Sequence, residues 1–511
     1  MQFLSFLSSI SFGMTLLCAV FALLVAFLNS TGQATSSSSC CAALQSALQS
    51  QVFNVNTDTY QRSVESYWSL DTQLRPACIV QPRNPQEVSL AVTTLVTTND
   101  QSPQCQFAIR SGGHSAVPGT SNIQGGVTID LSLLNSTVYH PDKGFASIGP
   151  GARWESVYKE LKQYDVTVTG GRDATVGVGG LITGGGNSFF AAEHGFGCDN
   201  VVNFEIILAN GSLINANNST HADLWKALKG GSGNFGIVTR FDLTTFPHKY
   251  FWGGMVEYDG FTTPQQISAL VDFTDRIAED RYASLLPMYR YDSSSDFNRV
   301  AVAMHYTKPE AFPSAFQDFY RLPNISSTVR FDHIYNFTRE MSPLAGLHHI
   351  LLTQTFINDA RVVQKAIELQ NHYISEAKAK AHGNDWTLIS LFQPFPAVFG
   401  QLAKHKGGNM LGLDDENNHI LYLLGYSWDN TADNDLFNSI GYKVFGEVQS
   451  YAKELGVDGR YVYLNYAGKG QNPLQSYGED NAREIARVAK TYDPQGVFQR
   501  QVPGGFKISM A

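Results

Sequence analysis

The chain has 511 residues, of which 43% are apolar and 16% are charged, a composition typical of a globular protein and unlike that of a disordered one. Hydrophobic cores stop growing at roughly 250–300 residues, so this length predicts two domains. The formal net charge is −9 and no basic run occurs, which argues against a nucleic-acid partner.

The N-terminus has the pattern of a targeting segment. No Lys or Arg precedes Arg62, the stretch from Phe12 to Leu28 is almost wholly apolar, and small residues including Ala34 follow it. This pattern predicts a signal peptide over residues 1–34, a secreted protein and no stable membrane partner. The alternative is an uncleaved membrane anchor or a vesicular location, because the apolar run is close to the lower length limit of a spanning helix.

The cysteines and glycosylation sequences also suit a secreted protein. The first of the six cysteines, Cys18, would leave with the signal peptide. The adjacent Cys40 and Cys41 are poorly placed to pair with each other, so the simplest scheme joins them to two later cysteines. No spacing typical of a zinc site occurs, and no metal is predicted. The remaining cysteines are Cys78, Cys105 and Cys198, the last of them free, and the Asn-x-Ser/Thr acceptors are Asn135, Asn210, Asn217, Asn218, Asn324 and Asn336.

The first half of the chain, over residues 35–247, is predicted to alternate short strands with helices. Its first clear unit is β–α–β and ends in the glycine-rich stretch around His114. The predicted helices are Ala42–Gln51, Glu87–Thr97, Trp154–Gln163 and Asp223–Lys229. The predicted strands are Ala77–Gln81, Cys105–Arg110, Gly126–Asp130, Phe145–Ile148, Val166–Thr169, Val201–Leu208, Ser212–Ala216 and Ile237–Leu243.

Glycine density falls after Pro247, which predicts a second, α+β domain over residues 248–460. A C-terminal segment, 461–511, follows it. The predicted helices of the second domain are Gln265–Ala278, Val362–Ala379 and Ala432–Leu455, and its aromatic-rich strands include Phe251–Tyr258, Val300–Tyr306 and His419–Trp428.

Three glycine clusters in the first half carry the functional signal. The cluster at Gly231–Gly236 matches the dinucleotide pattern, but a helix precedes it and a strand follows, the reverse of a Rossmann site. The cluster before His114 ends a strand in small residues, whose amide groups can hold phosphate. Alone, that motif fits a simple turn with a satisfied histidine equally well. The third cluster is Gly177–Gly186. The three clusters together favour a large anionic cofactor, and FAD fits this description better than a mononucleotide does.

The order and spacing of many short motifs resemble the berberine bridge enzyme-like oxidases of the vanillyl-alcohol oxidase superfamily, in particular the fungal secreted branch. The resemblance covers about residues 40–511. It is carried by Cys78–Pro82, Phe107–His114, Gly125–Leu131, Gly149–Trp154, Val176–Gly180, Gly184–Gly186, Cys198–Val202, Leu228–Gly231, Asn234–Val238, Tyr463–Tyr466, Tyr492–Pro494 and Gly496–Gln499. It implies an α+β fold, in which a two-subdomain PCMH-type FAD-binding domain is joined to an α+β substrate domain with an antiparallel sheet. The C-terminal segment returns to the FAD domain.

The resemblance implies FAD bonded covalently to His114. Many relatives have a second link through a cysteine, where this chain has Asp173, so a single covalent bond is predicted. Leu181 is a second departure, at a place where some relatives have a histidine. The residues predicted to bind the cofactor are His114, Arg110, Ser111, Gly112, Gly113, Ser115, Asp173, Thr175, Val176, Gly179, Gly180, Gly184, Gly185, Asn187 and Val238.

The family's Tyr-x-Asn sequence maps to Tyr463 and Asn465, which are the predicted catalytic residues. A phenol whose pKa is depressed can act as a general base, while Asn465 orients it or the substrate. The implied reaction passes hydride from an alcohol or C–H donor to FAD and then to molecular oxygen, giving hydrogen peroxide. Gly171 lies where a small residue favours access of oxygen to the flavin.

The substrate is predicted to be a small molecule, and the aromatic-rich second domain favours a secondary-metabolite intermediate, with ring closure as a further outcome. Two alternatives stay open. Some fungal relatives oxidise sugars or oligosaccharides, which also stack on aromatic rings. A secreted flavin-binding protein without turnover is conceivable because the second covalent residue is absent, although Tyr463 and Asn465 are both present.

Overall fold

The computed structural model describes residues 38–99 and 105–508. The predicted signal peptide, including Cys18, lies outside these residues. Among the helices that the model describes, none is long and apolar enough to cross a membrane. The chain forms three sheets with helices around them, which confirms the predicted α+β class.

The first sheet contains β1 (Val52–Asn54), β2 (Cys78–Val80), β3 (Phe107–Arg110) and β4 (Val127–Asp130). Its strand order is β1-β2-β4-β3, and β4 pairs in parallel with both β2 and β3. A helix, Pro85–Asn99, connects β2 to β3, so the predicted β–α–β unit is confirmed. The predicted apolar face of this helix is fully buried against the sheet, at Val88, Ala91, Val92 and Leu95.

The second sheet has six strands that follow one another along the chain. Its longest strand extends beyond the predicted end at Leu243, because its last residues pair with another strand of the sheet, at Val166–Val168. The strands are β5 (Thr137–His140), β6 (Phe145–Ile148), β7 (Val166–Val168), β8 (Val201–Ile207), β9 (Leu213–Asn217) and β10 (Ile237–Pro247).

The third sheet has eight strands, and all its pairs are antiparallel, as predicted for the second domain. Several of its strands were missed from sequence, because both of their faces are largely buried and their apolar residues do not alternate with polar ones. The strands are β11 (Phe251–Asp259), β12 (Ala283–Asp292), β13 (Phe297–Tyr306), β14 (Asn324–Ser327), β15 (Arg330–Asp332), β16 (His348–Ile357), β17 (Trp386–Phe395) and β18 (His419–Trp428).

The helices cover the outer faces of the sheets. One short helix, Val178–Thr183, lies inside the glycine cluster at 177–186, where the sequence analysis predicted neither a helix nor a strand. In chain order the helices are α1 (38–48), α2 (Asp58–Glu65), α3 (Pro85–Asn99), α4 (Trp154–Leu161), α5 (Val178–Thr183), α6 (Ala191–His194), α7 (Ala222–Leu228), α8 (Thr263–Arg276), α9 (Gln317–Tyr320), α10 (Ile334–Glu340), α11 (Ala360–Lys380), α12 (Val398–His405), α13 (Asn434–Glu454), α14 (Pro473–Ser476), α15 (Glu479–Tyr492) and α16 (Val497–Arg500).

Two disulfides fasten α1 to the first sheet. Cys40 pairs with Cys105 and Cys41 with Cys78, while Cys198 is free and buried. The predicted partners are therefore confirmed, and the structure supplies the order that the sequence left open. Disulfides of this kind are typical of proteins that fold in an oxidising compartment.

The six glycosylation sequences differ in the surroundings of their asparagines. Asn135, Asn210, Asn218 and Asn324 are exposed. Asn217 and Asn336 are partly buried, and their side-chain amides donate to Asn203 and Asp332. The exposed asparagines are therefore the better acceptors.

Candidate active site

A cavity of about 480 Å³ lies where the three sheets meet. The end of the first sheet contributes the glycine-rich stretch before His114, and β10 contributes its first residues. The third sheet forms a broad wall, and two parts of the C-terminal segment, around Tyr466 and Phe506, close the remaining sides. This arrangement brings together residues from nearly the whole described chain.

His114 stands directly beyond the end of β3. Gly113 has a φ of +67°, a left-handed conformation that glycine adopts without strain, and its carbonyl accepts a hydrogen bond from the amide of Trp68. The rings of Trp68 and His114 stack with centroids 4.7 Å apart. The imidazole is therefore held on one face by an aromatic ring and lines the cavity with its edge.

The hydrogen bonds around His114 define its tautomer. Nε2 lies 3.1 Å from Thr175 Oγ1 and 3.5 Å from Asp173 Oδ2. Thr175 Oγ1 itself donates its only proton to Asp173 Oδ1 at 2.8 Å, so it accepts from the imidazole. The proton of His114 therefore lies on Nε2, and Nδ1 keeps its lone pair.

The charges near His114 oppose one another. Burial is the largest effect and lowers the pKa of His114, Asp173 raises it, and Arg153 lowers it further. Arg153 also donates to the carbonyl of Gly112 at 2.9 Å and to that of Thr175. The net direction is downward, so the imidazole is neutral near pH 7 and its Nδ1 is nucleophilic.

The cavity fits a long cofactor with a phosphate-bearing body. Gly180 and Gly233 line it, and a Cβ added at either glycine would enter open space, so the backbone leaves room for a close ligand. Thr120 Oγ1, Ser121 Oγ and Trp68 Nε1 belong to cavity-lining residues and have no hydrogen-bond partner among the described residues. Such buried polar groups normally have partners, and a bound ligand would supply them.

Most residues predicted to bind the cofactor line the cavity: Ser111, Gly112, Gly113, His114, Ser115, Asp173, Val176, Gly179, Gly180, Asn187 and Val238. Thr175 does not line the cavity, but its hydroxyl oxygen contacts His114 Nε2. Arg110 also lies behind it. Its guanidinium is 3% exposed and donates to Ser63 and Ser66, so it supports the first sheet and does not line the cavity.

The two remaining glycines also have structural explanations. A Cβ at Gly184 would lie 2.5 Å from the amide nitrogen of Asn465, and Gly185 has a φ of +120° beside Leu411. Neither lines the cavity. Gly171 does line it, but a Cβ there would lie 2.5 Å from the Trp154 ring. Packing against Trp154 therefore explains this glycine without any reference to oxygen.

Tyr463 does not have the surroundings of a general base. Its hydroxyl accepts a hydrogen bond from the amide of Asn187 at 2.7 Å, and burial raises its pKa well above the ordinary value. The depressed pKa on which the sequence-based hypothesis depended is absent. Asn465 bonds to the glycine segment, accepting from Gly186 at 3.2 Å and donating to Gly180 at 3.0 Å. Both residues thus position the segment 180–187.

Tyr466, which sequence reasoning missed as a catalytic group, has the expected surroundings of the base. Its hydroxyl oxygen faces two donors, the guanidinium of Arg172 at 3.2 Å and the amide of Gln393 at 3.3 Å. These two donors fix the position of the phenolic oxygen. Arg172 and Tyr466 line the cavity, and Gln393 contacts both of them from behind its surface. The only sequence signal was a second tyrosine after the Tyr-x-Asn sequence.

The wall formed by the third sheet is strongly apolar. Its cavity-lining side chains come from β12, β16, β17 and β18 and are mostly aliphatic or thioether groups. They are Leu286, Met288, Leu351, Ile389, Leu391 and Leu423, together with Met341 after α10. A wall of this kind suits an apolar substrate better than a sugar, whose hydroxyl groups would lose their hydrogen bonds to water there.

Residues 76–217 match the family model of the FAD binding domain. An FAD-dependent monooxygenase from Aspergillus calidoustus is 45% identical over 472 residues, which cover 92% of this chain and 90% of that protein. An FAD-dependent monooxygenase from Emericella nidulans is 42% identical over 481 residues, which cover 94% of this chain and 100% of that protein.

Solved structures with the same fold are more distant in sequence. Berberine bridge enzyme superposes with a TM-score of 0.72 at 17% identity, over 92% of this chain and 100% of that one. A glucooligosaccharide oxidase from Acremonium strictum superposes with a TM-score of 0.73 at 18% identity, over 89% and 97% of the two chains. The FAD of that oxidase is described as 6-S-cysteinyl, 8α-N1-histidyl.

Proposed function

Because the chain belongs to the family of fungal FAD-dependent monooxygenases, whose fold is that of berberine bridge enzyme, we propose that it oxidises a small, largely apolar alcohol or C–H donor. It is an FAD-linked oxidoreductase, and FAD is its cofactor. The observation that carries the proposed reaction is the pair of donors, from Arg172 and Gln393, on the hydroxyl oxygen of Tyr466.

His114 is proposed to hold FAD by a covalent bond. Its lone pair on Nδ1 is the available nucleophile, since Nε2 is occupied by Thr175 and Asp173. The absence of a cysteine at position 173 supports a single bond. Gly180 and Gly233 would lie along the cofactor, because a Cβ at either position would point into open space and its absence allows close approach.

Acid precipitation tests the covalent bond. In the wild type we expect the yellow colour to stay in the pellet, and in His114→Ala we expect it to enter the supernatant or to be lost on purification. His372→Ala is the matched control, because it removes a histidine that is exposed on α11. Colour released from the wild type would refute the bond.

When bound, FAD would supply the acceptor for the substrate's hydride and return the two electrons to molecular oxygen, giving hydrogen peroxide. The residues of the chain would handle the proton. Tyr466 would be the group that takes the proton of the substrate hydroxyl, and the N–H groups of Arg172 and Gln393 would orient its oxygen. Gln393 is itself held by Arg172, which donates to its side-chain oxygen at 2.6 Å.

Monooxygenation is the second candidate, because the relatives carry that name. Turnover under ¹⁸O₂ distinguishes the two reactions. An oxidase releases the label as hydrogen peroxide in a one-to-one ratio with the product, whereas a monooxygenase places one labelled atom in the product. Labelled product without peroxide would overturn the oxidase proposal.

The apolar wall supports a secondary-metabolite intermediate as substrate, with ring closure as a second outcome, and it disfavours an oligosaccharide.

We also propose that the protein is secreted and glycosylated, and the two disulfides support secretion. The division into residues 35–247, 248–460 and 461–511 is retained as a proposal for the FAD domain, the substrate domain and the returning segment.

A further inference from the structure

The apolar wall contains one polar pair, His349 on β16 and Ser427 on β18. The two residues are direct partners in the strand register, and His349 Nδ1 lies 2.8 Å from Ser427 Oγ. Both line the cavity. The imidazole is fixed on its face as well, because it stacks on the Trp68 ring with centroids 3.7 Å apart and an interplanar angle of 12°.

The other ring nitrogen of His349 has no hydrogen-bond partner within residues 38–99 and 105–508. The residue is 6% exposed, and Nε2 is buried without a hydrogen bond to any described residue. The neighbouring His348, on the opposite face of β16, contrasts with it. Its Nδ1 lies 2.8 Å from Asp71 and its Nε2 lies 3.0 Å from Thr431. The histidine that faces the protein is satisfied, and the one that faces the cavity is not.

This pair is separate from the group around Tyr466. Gln393, which contacts Tyr466, pairs with Leu421 of β18, six positions before Ser427. At about 3.3 Å per residue, the two polar groups are roughly 20 Å apart along the sheet. The apolar side chains of the wall lie between them. A substrate whose apolar body lies on this wall would therefore meet a polar group at each end.

We propose that His349, held by Ser427 and Trp68, is a substrate subsite that binds a hydroxyl group on the apolar body of an uncharged substrate. The inference rests on the proposed function, of which it specifies the substrate class. A hydroxyl both donates and accepts, so it matches Nε2 in either tautomer of the imidazole.

The electrostatics agree with an uncharged ligand group. Burial, with smaller contributions from His114 and His348, lowers the pKa of His349 to about 3. The imidazole is therefore neutral at physiological pH and offers no positive charge to a carboxylate or phosphate.

The test uses the flavin-containing enzyme under anaerobic conditions and two shape-matched probes, 2-naphthol and 2-methylnaphthalene, with binding followed by the change in flavin absorbance. In the wild type we expect tighter binding of 2-naphthol. His349→Phe keeps a ring on Trp68 but removes both nitrogens. This variant should raise the dissociation constant of 2-naphthol about fivefold, the effect of losing one hydrogen bond. The dissociation constant of 2-methylnaphthalene should change by less than about twofold.

Two further variants complete the design. His348→Phe makes the same substitution on the opposite face of β16 and should leave both dissociation constants unchanged. Ser427→Ala keeps the imidazole but removes its hydroxyl partner, and we expect it to weaken the binding of 2-naphthol alone, by about twofold. If His349→Phe does not fold, the measurement on Ser427→Ala tests the inference.

The inference is overturned if the wild type shows no preference for 2-naphthol, or if His349→Phe weakens both probes equally. It is also overturned if that variant alters the flavin spectrum before any probe is added, since His349 would then act on the cofactor. Acid-stable yellow colour reports on the proposed function separately, so each can fail without the other.

Discussion

Tyr463 and Tyr466 lie three positions apart on one segment, yet their hydroxyl groups have opposite surroundings. The first accepts one backbone amide in a fully buried position. The second faces a guanidinium and a side-chain amide at the cavity surface. Burial raises the pKa of Tyr463, so we predict that Tyr466, whose oxygen is oriented by two side-chain donors, is the tyrosine that takes the proton.

We therefore expect replacement by phenylalanine to have different consequences at the two tyrosines. Tyr466→Phe should lower kcat by about 10²–10⁴-fold, the range expected for a lost general base, with little change in Tm. Tyr463→Phe should destabilise the fold by about 1–3 kcal/mol, since the amide of Asn187 loses its acceptor. Steady-state kinetics and thermal unfolding of both variants check this. A larger kcat loss in Tyr463→Phe would restore the original hypothesis.

His305 gives a prediction about pH. It lies buried among Phe189, Phe251 and Phe337, and burial lowers its pKa to about 3. The unfolded chain binds its proton near pH 6.5, so below that pH the unfolded state holds more protons. The contribution of the neutral imidazole to the free energy of unfolding is therefore fully present above about pH 6.5. It is lost as the pH falls towards 3, by up to about 1.4 kcal/mol per pH unit.

His305→Phe keeps the aromatic packing and removes this titration. We expect the free energy of unfolding of the variant to fall less steeply between pH 6.5 and 4.5 than that of the wild type, as measured by denaturant titration. His372→Phe is the control, because His372 is exposed on α11 and should leave the slope unchanged. Equal slopes for His305→Phe and the wild type would show that the buried imidazole does not titrate as described.

At the scale of the element, α5 is a short helix in which Gly180 serves the cavity and not the helix. Glycine is about 1 kcal/mol less favourable than alanine inside a helix. At Gly180 a Cβ would meet nothing within 4 Å on the protein side. The glycine therefore leaves open a space that belongs to the cavity.

Gly180→Ala and Gly446→Ala form a matched pair. Both glycines are helical, and a Cβ at either would meet no protein atom within 4 Å. Both variants should be as stable as the wild type or more so, by about 0.5–1 kcal/mol. Only Gly180→Ala, which lines the cavity, should lower the flavin content, measured as the absorbance ratio of flavin to protein. Equal flavin content in both variants would place the cofactor elsewhere.

At the scale of the whole molecule, the two disulfides tie the N-terminal helix to the first sheet, which also presents His114. Their loops span 65 and 37 residues of sequence separation. Removing a native disulfide typically costs about 2–5 kcal/mol. Cys40→Ala/Cys105→Ala should therefore lower Tm markedly, whereas Cys198→Ala should change it less, because Cys198 takes no part in a disulfide. Differential scanning calorimetry measures both, and an unchanged Tm in the double variant would contradict this role.

Much of the fold was predictable from local pattern. The face of α3, the β–α–β unit and the strand ends beside the glycine clusters depend on residues close in sequence, and periodicity reports such contacts directly. The order of the motifs indicated FAD and His114 by resemblance. The buried strands of the third sheet were less predictable, because residues enclosed on both faces have no alternation to read.

The sequence by itself determined the cofactor class, the candidate anchor at His114, the cysteines that pair and the antiparallel character of the third sheet. Only the tertiary structure decided which tyrosine oxygen meets two side-chain donors and which of the adjacent histidines, His348 or His349, turns towards the cavity. The physical reason is distance along the chain. The Arg172–Gln393 contact joins residues 221 positions apart, and the His349–Ser427 contact joins residues 78 positions apart. Burial and hydrogen bonding between such residues set their chemistry, and no local pattern encodes them.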